Sequence, residues 1–180
     1  MAASRILVTG GGGFIGRHLV RLLLSKGRMV TVLDDLSTGE IIEGEPNLRF
    51  IVGDVTDPLF RSEALEDCSA LIHLAAIASV PRCEDDHSLS ERVNQHAAIK
   101  LFEEAAKAGV IAMVHASTSA LYGVPEFLPI SESHPIAPIG VYGHDKQAAE
   151  TSILGREDVG VCALRLFNVY GVGQPSDSPY

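Results

Sequence analysis

The sequence predicts an α/β fold built on a doubly wound parallel sheet, and three observations carry that prediction. Short buried-strand patterns alternate with amphipathic helical stretches along most of the chain. A glycine-rich run, TGGGGFIG at residues 9–16, falls between the first strand and the first helix. An acidic pair, Asp34-Asp35, closes the second strand, 24 positions after Gly10.

The elements follow in order. Residues 5–9 (RILVT) form a short buried strand. Residues 14–26 place apolar side chains at three-four spacing and stop at Gly27, a helix C-cap signal. Residues 29–33 (MVTVL) are the second strand and 48–52 (LRFIV) the third, followed by GDVTD; residues 70–76 (ALIHLAA) are the fourth. A helix spans 89–108 with Leu101, Phe102, Ala105 and Ala106 as its buried face, and a fifth strand starts at Val110 (VIAMVHAS). Another helix begins near Tyr142 and runs on through 147–155, and residues 161–167 form the sixth strand. The proline-rich stretch 123–140 reads as a crossing segment at the sheet edge. After Asn168 the chain continues as loop, VYGVGQPSDSPY.

Length and composition bound the function. One domain accounts for 180 residues, and 46% hydrophobic content is that of an ordinary soluble globular protein. A formal net charge of −9, with 14 Lys and Arg and no basic stripe, excludes a nucleic-acid surface. Cys68, Cys83 and Cys162 are widely spaced and odd in number, which indicates neither a disulfide framework nor a zinc site and makes a reducing, cytoplasmic setting the expectation. The N-terminal residues reach a strand at once with no long apolar run, so neither a signal peptide nor a membrane span is expected.

Four consecutive glycines carry a high ordering cost. Two readings fit them: a tight strand-to-helix turn, or a cradle for a dinucleotide. In the second, Gly10 allows the turn, Gly13 the close approach of a pyrophosphate, and Gly16 tight helix packing, with phosphates at the helix N-terminus. Asp34 then stands where a carboxylate accepts a ribose 2′-hydroxyl and repels a 2′-phosphate, which favours NAD over NADP. Asp54 and Val55, just past the third strand, are placed for the adenine edge and face. Tyr142 and Lys146, four apart, share one helix face. They read either as a chance surface pair or as an acid-base tyrosine whose pKa, near 10 when free, is lowered by the ammonium. Ser117, Thr118 and Ser119 end the fifth strand at the carboxyl edge, where ligands gather in such sheets. They read as a substrate-holding hydroxyl or as cap and loop residues.

Taken together, TGGGGFIG, DDLSTG from Asp34, GDVTD from Gly53, HLAAIASVPR from His73, ASTSALYG from Ala116, YGHDK from Tyr142 and RLFNVYG from Arg165 strongly resemble the extended short-chain dehydrogenase/reductase family. The resemblance covers practically the whole chain and points to the NAD-dependent sugar-nucleotide epimerase/dehydratase branch, nearest to UDP-glucose and UDP-N-acetylglucosamine 4-epimerases. It implies a Rossmann-like NAD-binding domain over residues 1–180, with 168–180 as the start of a substrate-binding lobe otherwise largely absent. It further implies Thr118, Tyr142 and Lys146 as the catalytic set. Gly10, Gly13, Phe14, Ile15, Gly16, Asp34, Asp54, Val55, Leu74, Ala75, Ala76, Asn94, Tyr142 and Lys146 would hold NAD. Ser79, Arg82, Thr118 and Asn168 would face a UDP-linked sugar, with Val80 in the same bordering loop.

The implied reaction is reversible inversion at C4 of a UDP-hexose or UDP-N-acetylhexosamine through a 4-keto sugar. Ser119 and Ala120 occupy the places where the related 4,6-dehydratases are similar in carrying Asp and Glu, so dehydration lacks its acid and base. Ala97-Ala98 and Cys83 also depart from the Gly-Thr and Ser common among relatives. Homodimer contacts through the helices from Leu89 and Tyr142 are implied in the same way. A module that binds NAD without turnover is the rival expectation, because family enzymes have a further C-terminal portion.

Overall fold

Six strands, β1 (Arg5–Thr9), β2 (Met29–Asp34), β3 (Leu48–Val52), β4 (Cys68–His73), β5 (Ala112–Thr118) and β6 (Gly160–Leu166), lie side by side in the order β3-β2-β1-β4-β5-β6. Every neighbouring pair is parallel. The structure is a computed structural model that describes residues 4–174. The strand order reverses direction between β1 and β4, which opens a crevice at their carboxyl ends.

Helices α1 (Phe14–Ser25), α2 (Pro58–Leu65), α3 (Val80–Asp85), α4 (His87–Ser90), α5 (Ala98–Lys107) and α6 (Gly140–Leu154) connect the strands. Successive strand residues point to opposite faces, and the core divides accordingly. Val8, Val30 and Val32 pack with Val20 under α1. Leu7, Leu33, Ile51, Leu71 and Met113 pack on the other face against α2, α5 and α6 through Ala64, Phe102 and Ile153. On the α1 side the register aligns Val8, Ile72, Val114 and Cys162 across the sheet. Among the described residues, cover on that side falls away from fully buried Val8 to exposed Cys162.

Several boundaries differ from those expected. The fourth strand ends at His73, not Ala76. Leu74 still donates its amide to the Thr9 carbonyl at 3.0 Å, but β1 turns away at Gly10, and the ladder with β5 ends at His73 and His115 although β5 itself runs on to Thr118. The helix expected over 89–108 starts earlier and in pieces: α3, α4, a π-helical stretch (Glu91–Ala97), then α5. Helix α2 was not anticipated, although Asp57 caps it by accepting the Leu59 amide at 2.8 Å and Pro58 opens it. The fifth strand begins at Ala112, and α6 begins at Gly140, ahead of Tyr142. Residues 123–139 form no regular element and lie against the edge strand, where Arg165 donates to the Glu132 carbonyl at 3.2 Å. The stretch 168–180 is described only to residue 174, and 175–180 lie outside the described residues.

Candidate active site

The glycine run folds as a cradle, and its geometry follows from missing side chains. Gly10 adopts φ +69°, a conformation side-chain-bearing residues avoid, and a Cβ there would come within 2.6 Å of the Ala75 amide. A Cβ on Gly16 would fall on the Gly10 carbonyl oxygen and the Gly11 backbone, so α1 packs backbone to backbone against the loop. Around Gly13 only the Gly10 carbonyl lies close, at 3.3 Å, which leaves its outer side open. No side chain caps α1 at Gly13, and its first turn carries no acidic residue. That uncapped N-terminus presents amides and a favourable dipole to an anion. Phe14 and Ile15, both half-buried, begin the helix.

Replacing Gly16 with alanine is expected to destabilise the fold by ~1–3 kcal/mol through overpacking and to weaken dinucleotide binding in the same variant. Urea unfolding and a binding titration read the two effects separately. A variant matching wild type in both would show that the loop relaxes without cost.

Asp34 closes the cradle from β2. It is buried, and its carboxylate accepts the Gly12 amide at 2.8 Å and the Leu36 amide at 2.9 Å. These bonds hold the acid at the rim of the loop. Asp54 is exposed and accepts the Thr56 amide at 2.7 Å, whereas Val55 turns its side chain into the core. Arg61 fastens that turn, donating to the Val55 and Thr56 carbonyls while its guanidinium forks onto Glu104 at 2.7 and 2.8 Å.

Across the crevice, Thr9 Oγ1 bonds His73 Nδ1 at 2.6 Å and ties β1 to β4 just below the loop. Beyond it Leu74 and Ala75 are half-buried and Ala76 is exposed. Asn94 is buried in the π-helical stretch, and its amide is spent on the protein. It accepts the Ile77 amide at 2.9 Å and donates to the Ile77 carbonyl at 3.1 Å and to Ser90 Oγ at 3.2 Å. The structure therefore makes Asn94 the clamp of the loop after β4. Ser90 in turn donates to Asp145 of α6 at 2.5 Å. Ser79 caps α3 by accepting the Arg82 amide at 3.4 Å, while the Arg82 side chain is exposed, as are Val80 and Asn168.

Lys146 reaches the carboxyl end of β5, which Thr118 closes, and buried Tyr142 stands one turn before Lys146 on α6. Lys146 is 2% exposed and donates Nζ to the Ala116 carbonyl at 2.7 Å, two residues before Thr118. A Cβ on Gly143 would lie 3.4 Å from the Ala120 carbonyl, so α6 beside Tyr142 presses on the 3-10 turn Ser119–Tyr122. Thr118 Oγ1 accepts the Ala120 amide at 3.1 Å, which leaves its own proton for donation. Thr118 thereby caps the 3-10 turn that follows β5. Ser117 donates to Glu150 and is engaged behind the sheet edge. Burial draws the Lys146 ammonium down to about 8, opposed by the nearby Glu150 charge.

Glu150, Arg165, His73 and His115 were not singled out as site residues from the sequence. Glu150 had a signal, because it stands four residues after Lys146 on the same helix face. The histidines had none, since strand burial alone brings them under Lys146.

A glycine cradle at an uncapped helix, a buried acid at the end of β2 and a Thr-Tyr-Lys set at the next crevice wall define a dinucleotide-binding protein of the short-chain dehydrogenase/reductase type. The sequence profile of the NAD dependent epimerase/dehydratase family matches residues 6–180, and the chain belongs to that family. It is 38% identical over 172 residues to UDP-glucose 4-epimerase of Lacticaseibacillus casei, a match covering 92% of this chain and 52% of that one. A UDP-N-acetylglucosamine 4-epimerase from Methanobrevibacter ruminantium, solved with UDP-N-acetylmuramic acid, superposes with a TM-score of 0.90 at 33% identity. That match covers all of this chain and 60% of that structure. UDP-glucose 4-epimerase of Thermus thermophilus, in complex with NAD, gives a TM-score of 0.87 at 37% identity and covers 95% and 57%. The chain spans about half the length of the curated relatives it matches. No helix among the described residues is long and apolar enough to cross a membrane.

Proposed function

We propose that this protein binds NAD and carries the catalytic half of a nucleotide-sugar 4-epimerase acting on a UDP-hexose or UDP-N-acetylhexosamine. The observation that carries the reading is Lys146 seated on the Ala116 carbonyl, one helical turn from Tyr142 and two strand residues from Thr118. Similarity to 4-epimerases, one of them solved with NAD, supports it. Gly13 would receive the pyrophosphate in the loop that Gly10 and Gly16 shape, Asp34 the adenosine ribose, and Leu74, Ala75 and Ala76 would line the nicotinamide side.

When bound, the dinucleotide supplies a reversible hydride acceptor. The chain's own groups manage the proton. Tyr142, as phenolate, takes it from the sugar 4-hydroxyl; Thr118 holds that oxygen with its free proton; the Lys146 charge stabilises the phenolate. Ser79, Arg82 and Asn168 belong to this reading as contacts for the UDP-sugar. The roles of Asn94, Asp54 and Val55 are indirect in it, shaping the loops on which the cofactor would rest. A cytoplasmic setting and a homodimer through the helices near Leu89 and Tyr142 complete it.

Calorimetric titration of NAD and NADP, followed by assay of UDP-sugar interconversion, tests the reading. NAD is expected to bind on the order of 100-fold more tightly, because Asp34 would face a 2′-phosphate with like charge. Equal affinity would remove Asp34 from the ribose. NAD binding without interconversion would leave a cofactor module, the second reading.

A further inference from the structure

Behind Thr118 lies a polar cluster that the reaction above leaves unused. Glu150 is 3% exposed and sits one helical turn beyond Lys146 on α6. Its carboxylate accepts a hydrogen bond from Ser117 Oγ, on the residue that precedes Thr118 in β5. Arg165 of β6 grips the same carboxylate, donating Nη2 at 2.6 Å and Nε at 3.0 Å to Oε1. The remaining guanidinium nitrogen donates to the Tyr122 hydroxyl at 3.1 Å and to the Glu132 carbonyl at 3.2 Å. Arg165 also stacks over the Tyr122 ring, 5.2 Å from its centroid. One carboxylate thus joins a helix, two strands and the turn after Thr118.

A buried carboxylate is costly unless its lone pairs are used. Here they are used by the residue beside Thr118 and by the strand that leads to Asn168. We propose that Glu150 is a positioning residue: with Ser117 and Arg165 it locks α6 to the carboxyl ends of β5 and β6, and so sets Lys146 and Tyr142 against Thr118. The catalytic meaning of the lock rests on the reading under Proposed function; the lock itself does not.

The lock has an electrostatic consequence that can be read without cofactor or sugar. Lys146 is surrounded by Glu150 on its own helix, by neutral His73 and His115 from β4 and β5, and, through Glu150, by Arg165 of β6 and Tyr122. Glu150 holds the ammonium up against the pull of burial. Arg165 offsets part of the Glu150 charge.

Lysine side-chain NMR titration of the whole chain tests the assignment, since only Lys26, Lys100, Lys107 and Lys146 contribute signals. Wild-type Lys146 is expected to titrate at about 8. Glu150→Gln should move that midpoint down by ~1 pH unit, and Arg165→Met should move it up, because the carboxylate then faces Lys146 uncompensated. If Glu150→Gln fails to fold, Arg165→Met carries the test alone. Folded variants with lowered thermal stability but an unmoved Lys146 midpoint would overturn the proposal and leave Glu150 a structural ion pair. Shifts of opposite sign in a protein that interconverts no nucleotide sugar would support the lock and sink only the reaction. Interconversion with an unmoved midpoint would sink only the lock.

Discussion

Tyr142→Phe is expected to lower UDP-sugar interconversion by ~100- to 10,000-fold while NAD affinity is largely retained. The substitution removes one oxygen, and with it the group assigned to take the proton from the sugar 4-hydroxyl. Its neighbours argue for a local effect. Lys146 stays anchored to the Ala116 carbonyl, and Thr118 stays fixed by the Ala120 amide. The glycine cradle and Asp34 lie on other elements, around β1 and β2, so cofactor affinity should persist. Steady-state rates and a calorimetric NAD titration on the same preparation separate the two. Loss of NAD binding together with activity would mean that Tyr142 holds the cofactor pocket itself. Undiminished turnover would remove Tyr142 from proton transfer.

The second large effect is acid instability from the histidine pair. His73 and His115 are fully buried and stacked, 5.6 Å between centroids, with Phe102 edge-on to both. Among the described residues, neither ring nitrogen of His115 has a hydrogen-bond partner. Burial, with the Lys146 charge adding to it, holds His73 at about 3, and the same causes hold His115 well below the ordinary histidine value. Both groups are therefore protonated in the unfolded chain at pH values where the native state keeps them neutral. The unfolded state then binds more protons, so stability rises with pH and is lost as pH falls through about 6.5 toward the folded value.

Between pH 7 and pH 5, His73 alone should cost about 2 kcal/mol, and His115 adds in the same direction. Urea unfolding of wild type and His115→Phe at the two pH values measures this. The variant should lose less stability on acidification, and at pH 7 it should be at least as stable, because an unpartnered buried imidazole is replaced by an aromatic ring. Equal acid losses in the two proteins would refute the assignment to His115.

The legibility of the fold followed from how locally each feature is encoded. The β-α alternation, five of the six strand positions to within a few residues, and the Gly27 terminus of α1 all read from periodicity and from glycine. Gly27 takes φ +70° and donates to the Leu24 carbonyl at 2.8 Å, while Arg28 donates to Leu23 at 3.1 Å. The fourth strand was overrun because LIHLAA stays apolar past the point where its neighbour β1 leaves the sheet. Helix α2 was overlooked because eight residues with a weak apolar face give little periodicity, although Asp57-Pro58 marked its start. The broken helix at 80–107 depends on packing against α6, which no local pattern contains.

The site divides along the same line. By itself the sequence determined the glycine cradle, the acid at the end of β2 and the Tyr-x-x-x-Lys pair, since each is a spacing within one element or across one turn. Only the tertiary structure decided which of two adjacent hydroxyls is already committed within the protein. Ser117 is taken by Glu150, whereas Thr118 is left with a proton to donate. The fold likewise seated Lys146 beside two neutral, mutually stacked histidines from β4 and β5 and brought Arg165 to Glu150 from β6. Those contacts join residues 15 to 73 positions apart, and their strength comes from a dry interior that forms only once the sheet and its helices have closed.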